Sequence, residues 1–206
     1  MAAGCFLIRD AHMDGSKITF LEQLDIPGGP LDGAVRQNMG YVARGGREMG
    51  HHFEVLWSLF SSLPSTEDPN MTVLDHFYYT NHDDPNSSNC RITKNQGVRY
   101  DNGKFNLGQE LAKELASFVM MTDDELQNKS IEDVFSEELL NSDFWTYWRT
   151  MFAFENWHSA LEMKLYMNRF IHHVGGLTDL SALQFSRHDQ FTSFVKPMVK
   201  YLEEHG

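Results

Sequence analysis

Residues 44–48 combine residue types suited to binding a ligand and to moving a proton. Two adjacent glycines, Gly45 and Gly46, allow the backbone to come close to a ligand, and they lie between Arg44 and Arg47. Glu48 follows directly, just before a segment with helical spacing of apolar residues. This pattern is typical of a binding loop that leads into a helix. From these residues alone, an ordinary Gly-Gly turn with solvated charges remains the alternative.

A general acid–base pair is the first chemistry that the sequence suggests. A carboxylate such as Glu48 activates water, and a phenol such as Tyr166 donates a proton, which together suffice to add water across a double bond. The alternative for Tyr166 is a core position, where an aromatic residue of an apolar helix usually lies. Spacing along the chain does not show that the two side chains meet.

A metal centre is the second chemistry to consider. Glu155 and His158 have the Glu-x-x-His spacing of helical di-iron ligands, and Glu48 and His51 repeat it. Glu54 and Glu162 would add two more carboxylates to such a site. Such a centre needs a four-helix bundle around it, whereas this chain shows strands, glycine-rich loops and one long helix. Histidines on aromatic-rich helices are usually hydrogen-bonded core residues. We therefore predict no metal site.

Composition excludes several classes of function. The chain has 206 residues, and 17 basic against 29 acidic residues give a formal net charge of -12, which repels a nucleic acid. Cys5 and Cys90 lie far apart and form no metal-type pair, which favours a reducing cytoplasm. No apolar run approaches the ~20 residues that span a bilayer, and the first residues lack the basic start of a signal peptide. A soluble cytoplasmic protein is the expectation.

The first part of the chain resembles half of a nucleotide-binding layer. A helix over residues 2–13 is followed by a predicted short strand over residues 17–22, which ends on Glu22. In dinucleotide-binding folds, an acidic residue at the tip of the second strand accepts hydrogen bonds from the ribose. The Gly-x-Gly-x-x-Gly turn that holds the pyrophosphate would precede Met1, so we expect the chain to begin inside such a unit. A solvated Glu22 is the alternative.

The rest of the chain reads as mainly helical. Thr72, a capping box at residues 122–125 and Ser130 predict helix starts, and residues 90–106 predict a small β meander. A long helix is expected over residues 150–173, and Pro197 predicts a kink or a later start in the last helix. The predicted fold class is α/β, with a partial Rossmann-like layer followed by a mainly helical portion. The predicted segments are 1–63, 64–140 and 141–206.

Four long stretches of this sequence resemble the oleate hydratase family, once called myosin-cross-reactive antigens. They are residues 6–13, 44–49, 148–155 and 157–169, and the resemblance extends over nearly the whole chain. The family adds water to a cis double bond of unsaturated fatty acids, such as oleate giving 10-hydroxystearate. It requires bound FAD, although the reaction has no net redox change. The resemblance implies oleate or linoleate as substrate, a possible homodimer and at most peripheral membrane contact.

Site residues follow from this resemblance. It implies that Glu48 activates water and faces the flavin, that Tyr166 protonates the alkene, and that Glu22 binds the adenosine ribose. It also implies loops along the FAD and an arginine available to a fatty-acid carboxylate. The residues of these loops are Gly28, Gly29, Arg44, Gly45, Gly46 and Arg47.

The sequence departs from the family pattern in three ways. The first strand with its glycine-rich turn is missing, family members are more than twice as long, and Pro30 replaces a serine that is common after Gly28 and Gly29. Residues 1–63 would then be a partial FAD-binding segment, 64–140 an inserted segment, and 141–206 the helical segment with Tyr166. We expect a fragment that binds FAD poorly and does not turn over by itself. A non-catalytic interaction piece is the alternative.

Overall fold

The computed structural model describes residues 1–31, 33–43, 48–88, 90–100 and 103–206. It divides the chain into two units. Unit 1 comprises Met1–Pro85 and Gln184–Gly206, and unit 2 comprises Asn86–Leu183. Both consist mainly of helices, with little strand.

The helices of the described residues are α1 (Ala2–Arg9), α2 (Glu54–Phe60), α3 (Val73–Asp83), α4 (Gln109–Met120), α5 (Asp123–Leu126), α6 (Glu137–Leu140), α7 (Asp143–Phe152), α8 (Ala160–Phe170) and α9 (Lys196–Glu204). The strands form two antiparallel pairs, β1 (Gly33–Arg36) with β2 (Gly40–Ala43) and β3 (Thr93–Lys94) with β4 (Val98–Arg99). None of these helices is both long enough and apolar enough to cross a bilayer.

The core of unit 1 joins α1, α2, α3 and the chain around α9. The rings of Trp57 and Phe77 lie 4.5 Å apart, those of Phe60 and Phe194 lie 5.1 Å apart, and Cys5 is fully buried beside them. Burial raises the pKa of the Cys5 thiol. Pro197 lies in the first turn of α9, where its missing N–H has no helical partner to lose. A π-helical turn, Phe191–Val195, runs directly into α9. The predicted later start therefore holds for the α-helix, while the helical segment itself begins at Phe191.

The strand predicted over residues 17–22 is wrong. Gly15–Lys17 form a 3₁₀ turn capped by Asp14, and the residues that follow have no strand partner in the described part of the chain. An extended apolar run becomes a strand only where another strand takes up its backbone hydrogen bonds. Because the described strands form only antiparallel two-stranded sheets, the Rossmann-like layer is not confirmed. The hairpin β1–β2 lies where no element was predicted.

The core of unit 2 is an aromatic cluster between α4, α7 and α8. Phe144, Trp145 and Trp148 are almost completely buried, and Met163 meets them from α8. The meander predicted over residues 90–106 is present as the single hairpin β3–β4, and its second predicted turn includes residues outside the described ones.

The long helix predicted over residues 150–173 is interrupted. α7 ends at Phe152 because Ala153 adopts a left-handed conformation with φ 56°, which stops the helix. α8 starts anew at Ala160, where the Ser159 hydroxyl accepts a hydrogen bond from the backbone N–H of Glu162. Residues 153–159 thus form a connecting turn, which we call the interhelical turn.

Capping predictions are confirmed at Thr72, Thr122 and Ser130, which each form a reciprocal capping box. At the start of α3, hydrogen bonds from the hydroxyl and the backbone N–H of Thr72 hold the pKa of Asp75 below its usual value of 3.8. Because the folded-state pKa is the lower one, this box contributes its full stability above pH 3.8 and loses it as the pH falls through the lowered pKa.

Thr72→Ala is expected to lower the free energy of unfolding by about 1 kcal/mol at neutral pH. The deficit should shrink below pH 3.8, because the Asp75 carboxylate then protonates in wild type as well. Urea unfolding across a pH series measures both effects. Thr150→Ala serves as the control, since in the described part of the chain that hydroxyl donates to the Thr146 carbonyl within α7 and caps no helix. If the difference in free energy of unfolding between wild type and Thr72→Ala stayed constant below pH 3.8, the role of the capping box would be contradicted.

Candidate functional site

Glu48 lies in an exposed position beside a backbone that is well fixed. The backbone N–H of Met49 donates to the Gln184 carbonyl at 2.9 Å, and the buried Gly50 carbonyl accepts from Trp57 Nε1 at 2.8 Å. These bonds hold the chain just after Glu48 against α2, which begins only at Glu54. The other residues of this loop, Arg44, Gly45, Gly46 and Arg47, lie outside the described residues.

The predicted ribose ligand Glu22 is exposed and partly engaged. Its Oε1 accepts hydrogen bonds from the backbone N–H groups of Gln23 at 2.7 Å and Leu24 at 3.0 Å. The described residues place no partner on Oε2. The carboxylate is therefore held in place by its own backbone and keeps one oxygen available to a hydroxyl donor, which fits a ribose.

The two glycines that follow differ from each other. Gly28 has φ 113°, and a Cβ at this position would come within 3.1 Å of a Val195 methyl group. Its missing side chain therefore makes room for the core of unit 1. Gly29 has φ 55°, and a Cβ there would meet no atom of the described residues within 4 Å. Of the two, Gly29 is the one open to the close approach of a ligand such as FAD.

Tyr166 lies in a pocket of unit 2. Its ring is 39% exposed, so the core alternative is wrong for this residue. A cavity of about 210 Å³ adjoins it. The cavity is lined by Phe152, Ala153, Phe154, His158, Ser159, Glu162 and Tyr166. We call this space the Tyr166 pocket.

Two phenylalanines give the Tyr166 pocket an apolar wall. The Tyr166 ring meets Phe154 edge-on at 5.2 Å and Phe152 edge-on at 5.8 Å between ring centroids. His158 and Glu162 add polar groups to the same space. Apolar walls with few polar groups are typical of pockets that bind small organic molecules. In the Tyr166 pocket polar and apolar groups contribute about equally to the lining, so its aromatic side is the part that suits an apolar group.

Hydrogen bonds hold the interhelical turn that carries Phe154 and His158. Within unit 2, the backbone of this turn pairs with the segment before α6, with the Ile131 N–H donating to the His158 carbonyl at 2.9 Å. Glu155 forms an ion pair with Arg149. The buried Trp145 Nε1 donates to Asn156 Oδ1 at 2.9 Å. Long-range backbone and side-chain bonds therefore fix the wall of the Tyr166 pocket.

Asn156→Ala is expected to lower the free energy of unfolding by about 1 to 3 kcal/mol, because it leaves the buried Trp145 N–H without its acceptor. Asn156→Asp is the matched control, since it keeps an oxygen at the same place. Urea unfolding followed by tryptophan fluorescence compares the three proteins. Equal stability of wild type and Asn156→Ala would show that this bond does not hold the turn.

The metal alternative loses its geometric basis. Glu155 and His158 lie in the interhelical turn, and Glu48 and His51 precede α2, so neither pair has the helical i, i+3 arrangement. The described residues contain no group of three or more histidine, cysteine, aspartate or glutamate side chains able to hold a metal ion.

The structure assigns the predicted proton-transfer residues to different units. Glu48 belongs to unit 1 and Tyr166 to unit 2. Sequence reasoning missed the pocket residues Phe152 and Phe154, and considered His158 and Glu162 only as metal ligands. The Ser159 N-cap is the one local signal that indicates the new helix start and hence the interhelical turn.

Comparison with known proteins gives consistent matches over the whole chain. Residues 1–206 match the MCRA family. An oleate hydratase from Streptococcus pyogenes serotype M49 (strain NZ131) is 50% identical over 206 residues, which are 100% of this chain and 35% of that protein. A linoleate hydratase from Lactiplantibacillus plantarum is 30% identical over 226 residues, which cover 100% of this chain and 40% of that protein. The chain thus spans less than half the length of these relatives.

Proposed function

Because this chain belongs to the MCRA family, we propose that it supplies the proton-transfer residues of a hydratase that adds water to the cis double bond of unsaturated fatty acids. Oleate and linoleate are the proposed substrates, as the names of the two relatives suggest. The observation that carries the proposal is the Tyr166 pocket, in which a partly exposed phenol stands against an aromatic wall.

Tyr166 is the proposed general acid. Its phenolic proton moves to one alkene carbon, which leaves positive charge on the neighbouring carbon and a phenolate on Tyr166. Aromatic faces attract a cation, so the rings of Phe152 and Phe154 suit a pocket in which such charge develops. They also offer the apolar contact that an acyl chain needs.

Glu48 is the proposed general base. Its carboxylate accepts a proton from water as the water oxygen bonds to the positively charged carbon. The alkene gains one proton from Tyr166 and one hydroxyl from water, and the proton left on Glu48 balances the one lost from Tyr166. The exposed position of Glu48 on a fixed backbone supports this role, since the carboxylate is accessible to water.

FAD is the proposed cofactor. Glu22 would bind its ribose, and the loops with Gly28, Gly29 and residues 44–48 would pass along it, as the family resemblance implies. Within the described residues, Glu22 has one carboxylate oxygen without a partner and Gly29 has no close neighbour, and both observations support this assignment. Bound FAD would take part without net redox change, because hydration leaves the oxidation state of the flavin as it was. We also retain as proposals a Rossmann-like layer around residues 1–63, a homodimer, and a cytoplasmic location with peripheral membrane contact.

A segment exchange tests the proposed function. Residues 1–206 replace the matching stretch of the Streptococcus pyogenes relative, and we call the product the exchange hydratase. It is incubated with FAD and oleate, and hydroxystearate is measured by mass spectrometry. We expect hydroxystearate at a rate within about tenfold of the parent. A folded, FAD-loaded exchange hydratase that leaves oleate unchanged would overturn the proposal and favour a non-catalytic role for the chain.

A further inference from the structure

His158 shares the Tyr166 pocket and has no role in the function proposed above. Both side chains line the same cavity of about 210 Å³. The Phe154 ring contacts both of them, with centroid distances of 6.1 Å to His158 and 5.2 Å to Tyr166. No direct hydrogen bond joins the two side chains in the described structure. The pocket between them has room for a water molecule, which could bridge them.

The hydrogen bonding of His158 fixes which ring nitrogen carries the proton. The backbone N–H of Glu155 donates to His158 Nδ1 at 3.2 Å, so Nδ1 acts as an acceptor. In a neutral imidazole the proton is then on Nε2. The described residues place no partner on Nε2. His158 accordingly has one N–H donor left for a group in the pocket.

The orientation of the His158 ring is fixed as well. The Trp157 ring packs edge-on against it at 4.2 Å, and the His158 carbonyl accepts from the Ile131 N–H. Ser159, the next residue, caps α8, the helix on which Tyr166 lies. The imidazole therefore lies directly before the N-cap of the helix that carries Tyr166, and the same turn holds both.

We propose that His158 is a positioning residue for Tyr166. The Nε2–H of His158 donates to a water in the pocket, and that water donates to the phenolic oxygen. This bond orients the phenol and stabilises the phenolate that remains after proton transfer. The mechanistic part of the inference rests on the proposed function, whereas the hydrogen bond itself does not.

A nitrogen NMR experiment tests the hydrogen bond without any need for activity. Two-bond proton–nitrogen correlation spectra of the purified chain distinguish the two histidine tautomers, and His158→Gln identifies the signals of His158. We expect the Nε2-protonated tautomer. Tyr166→Phe should shift the Nε2 resonance more than the Nδ1 resonance. A proton on Nδ1, or an Nε2 resonance unchanged by Tyr166→Phe, would overturn the inference.

Kinetics of the exchange hydratase test the consequence for proton transfer. We expect His158→Phe to lower kcat by about 10- to 100-fold with little change in KM. The lost Nε2–H donor stabilises the Tyr166 phenolate that forms during proton transfer, and it does not contribute to the binding of oleate. His158→Gln keeps an N–H donor and should restore part of the rate. Equal losses in both variants would indicate a purely structural role and contradict the inference. If the exchange hydratase is inactive, the proposed function fails, and the NMR result still decides the hydrogen bond.

Discussion

Tyr166→Phe in the exchange hydratase is expected to lower kcat for oleate hydration by about 10²- to 10⁴-fold, the usual contribution of a general acid. The substitution removes only the hydroxyl and keeps the ring contacts with Phe152 and Phe154. KM should therefore change little, because the apolar wall of the pocket remains. Hydroxystearate formation is measured by mass spectrometry over a range of oleate concentrations.

The matched control for this substitution is Tyr79→Phe. Tyr79 has a similarly exposed ring, 52% against 39% for Tyr166, and lies on α3 outside the Tyr166 pocket. We expect the Tyr79→Phe variant to form hydroxystearate at the same rate as the unsubstituted exchange hydratase. A Tyr166→Phe variant that keeps more than about a tenth of the rate would show that another group donates the proton.

Glu48→Gln is the second substitution with a large expected effect. Glutamine has nearly the same size and still forms hydrogen bonds, but it does not accept a proton from water. We expect kcat to fall by about 10²- to 10⁴-fold while the FAD content and the thermal stability remain unchanged. Absorption of the bound flavin and a thermal melt are recorded on the same preparation that is used for kinetics.

Glu54→Gln is the control for Glu48→Gln. Glu54 is exposed, lies in the first turn of α2 and, within the described residues, forms an ion pair with the nearby His52. We expect full activity from this control. If Glu48→Gln instead loses FAD and recovers its rate when excess FAD is added, Glu48 binds the cofactor and does not activate water.

Helix starts were predictable because capping is a local interaction. The Thr72, Thr122 and Ser130 boxes involve residues three positions apart, and each hydrogen bond runs within one turn. The later start of α9 was predictable for a similar reason, since Pro197 restricts its own backbone and lacks a donor. In these cases the sequence contains all the interacting groups within a few residues.

Errors occurred where distant partners decide the structure. The apolar residues 17–22 resemble a strand, but no strand pairs with them in the described part of the chain. Ala153 is a good helix former and still ends α7, because the turn after it is held by backbone bonds to the segment around Ile131. Tertiary contacts of this kind leave no pattern in a local window of sequence.

The site was predictable only in part. Glu48 and Tyr166 were proposed as an acid–base pair from their chemistry, and their specific roles came from the family resemblance. The Tyr166 pocket depends on the interhelical turn, whose residues interact across more than 20 positions, as between Ile131 and His158. Glu155 and His158 have a helical metal-ligand spacing in the sequence, yet the turn gives His158 a different hydrogen-bonding role.

The burial of Cys5 gives the chain a built-in reporter of local opening. Thiol reagents attack the thiolate, and the raised pKa together with full burial keeps Cys5 unreactive while unit 1 is folded. Cys90, the other cysteine, is partly exposed and belongs to unit 2. Mass spectrometry after a brief pulse of alkylating reagent therefore separates the two sites. The labelling rate of Cys5 then measures how often unit 1 opens, separately from unit 2 and without an added dye.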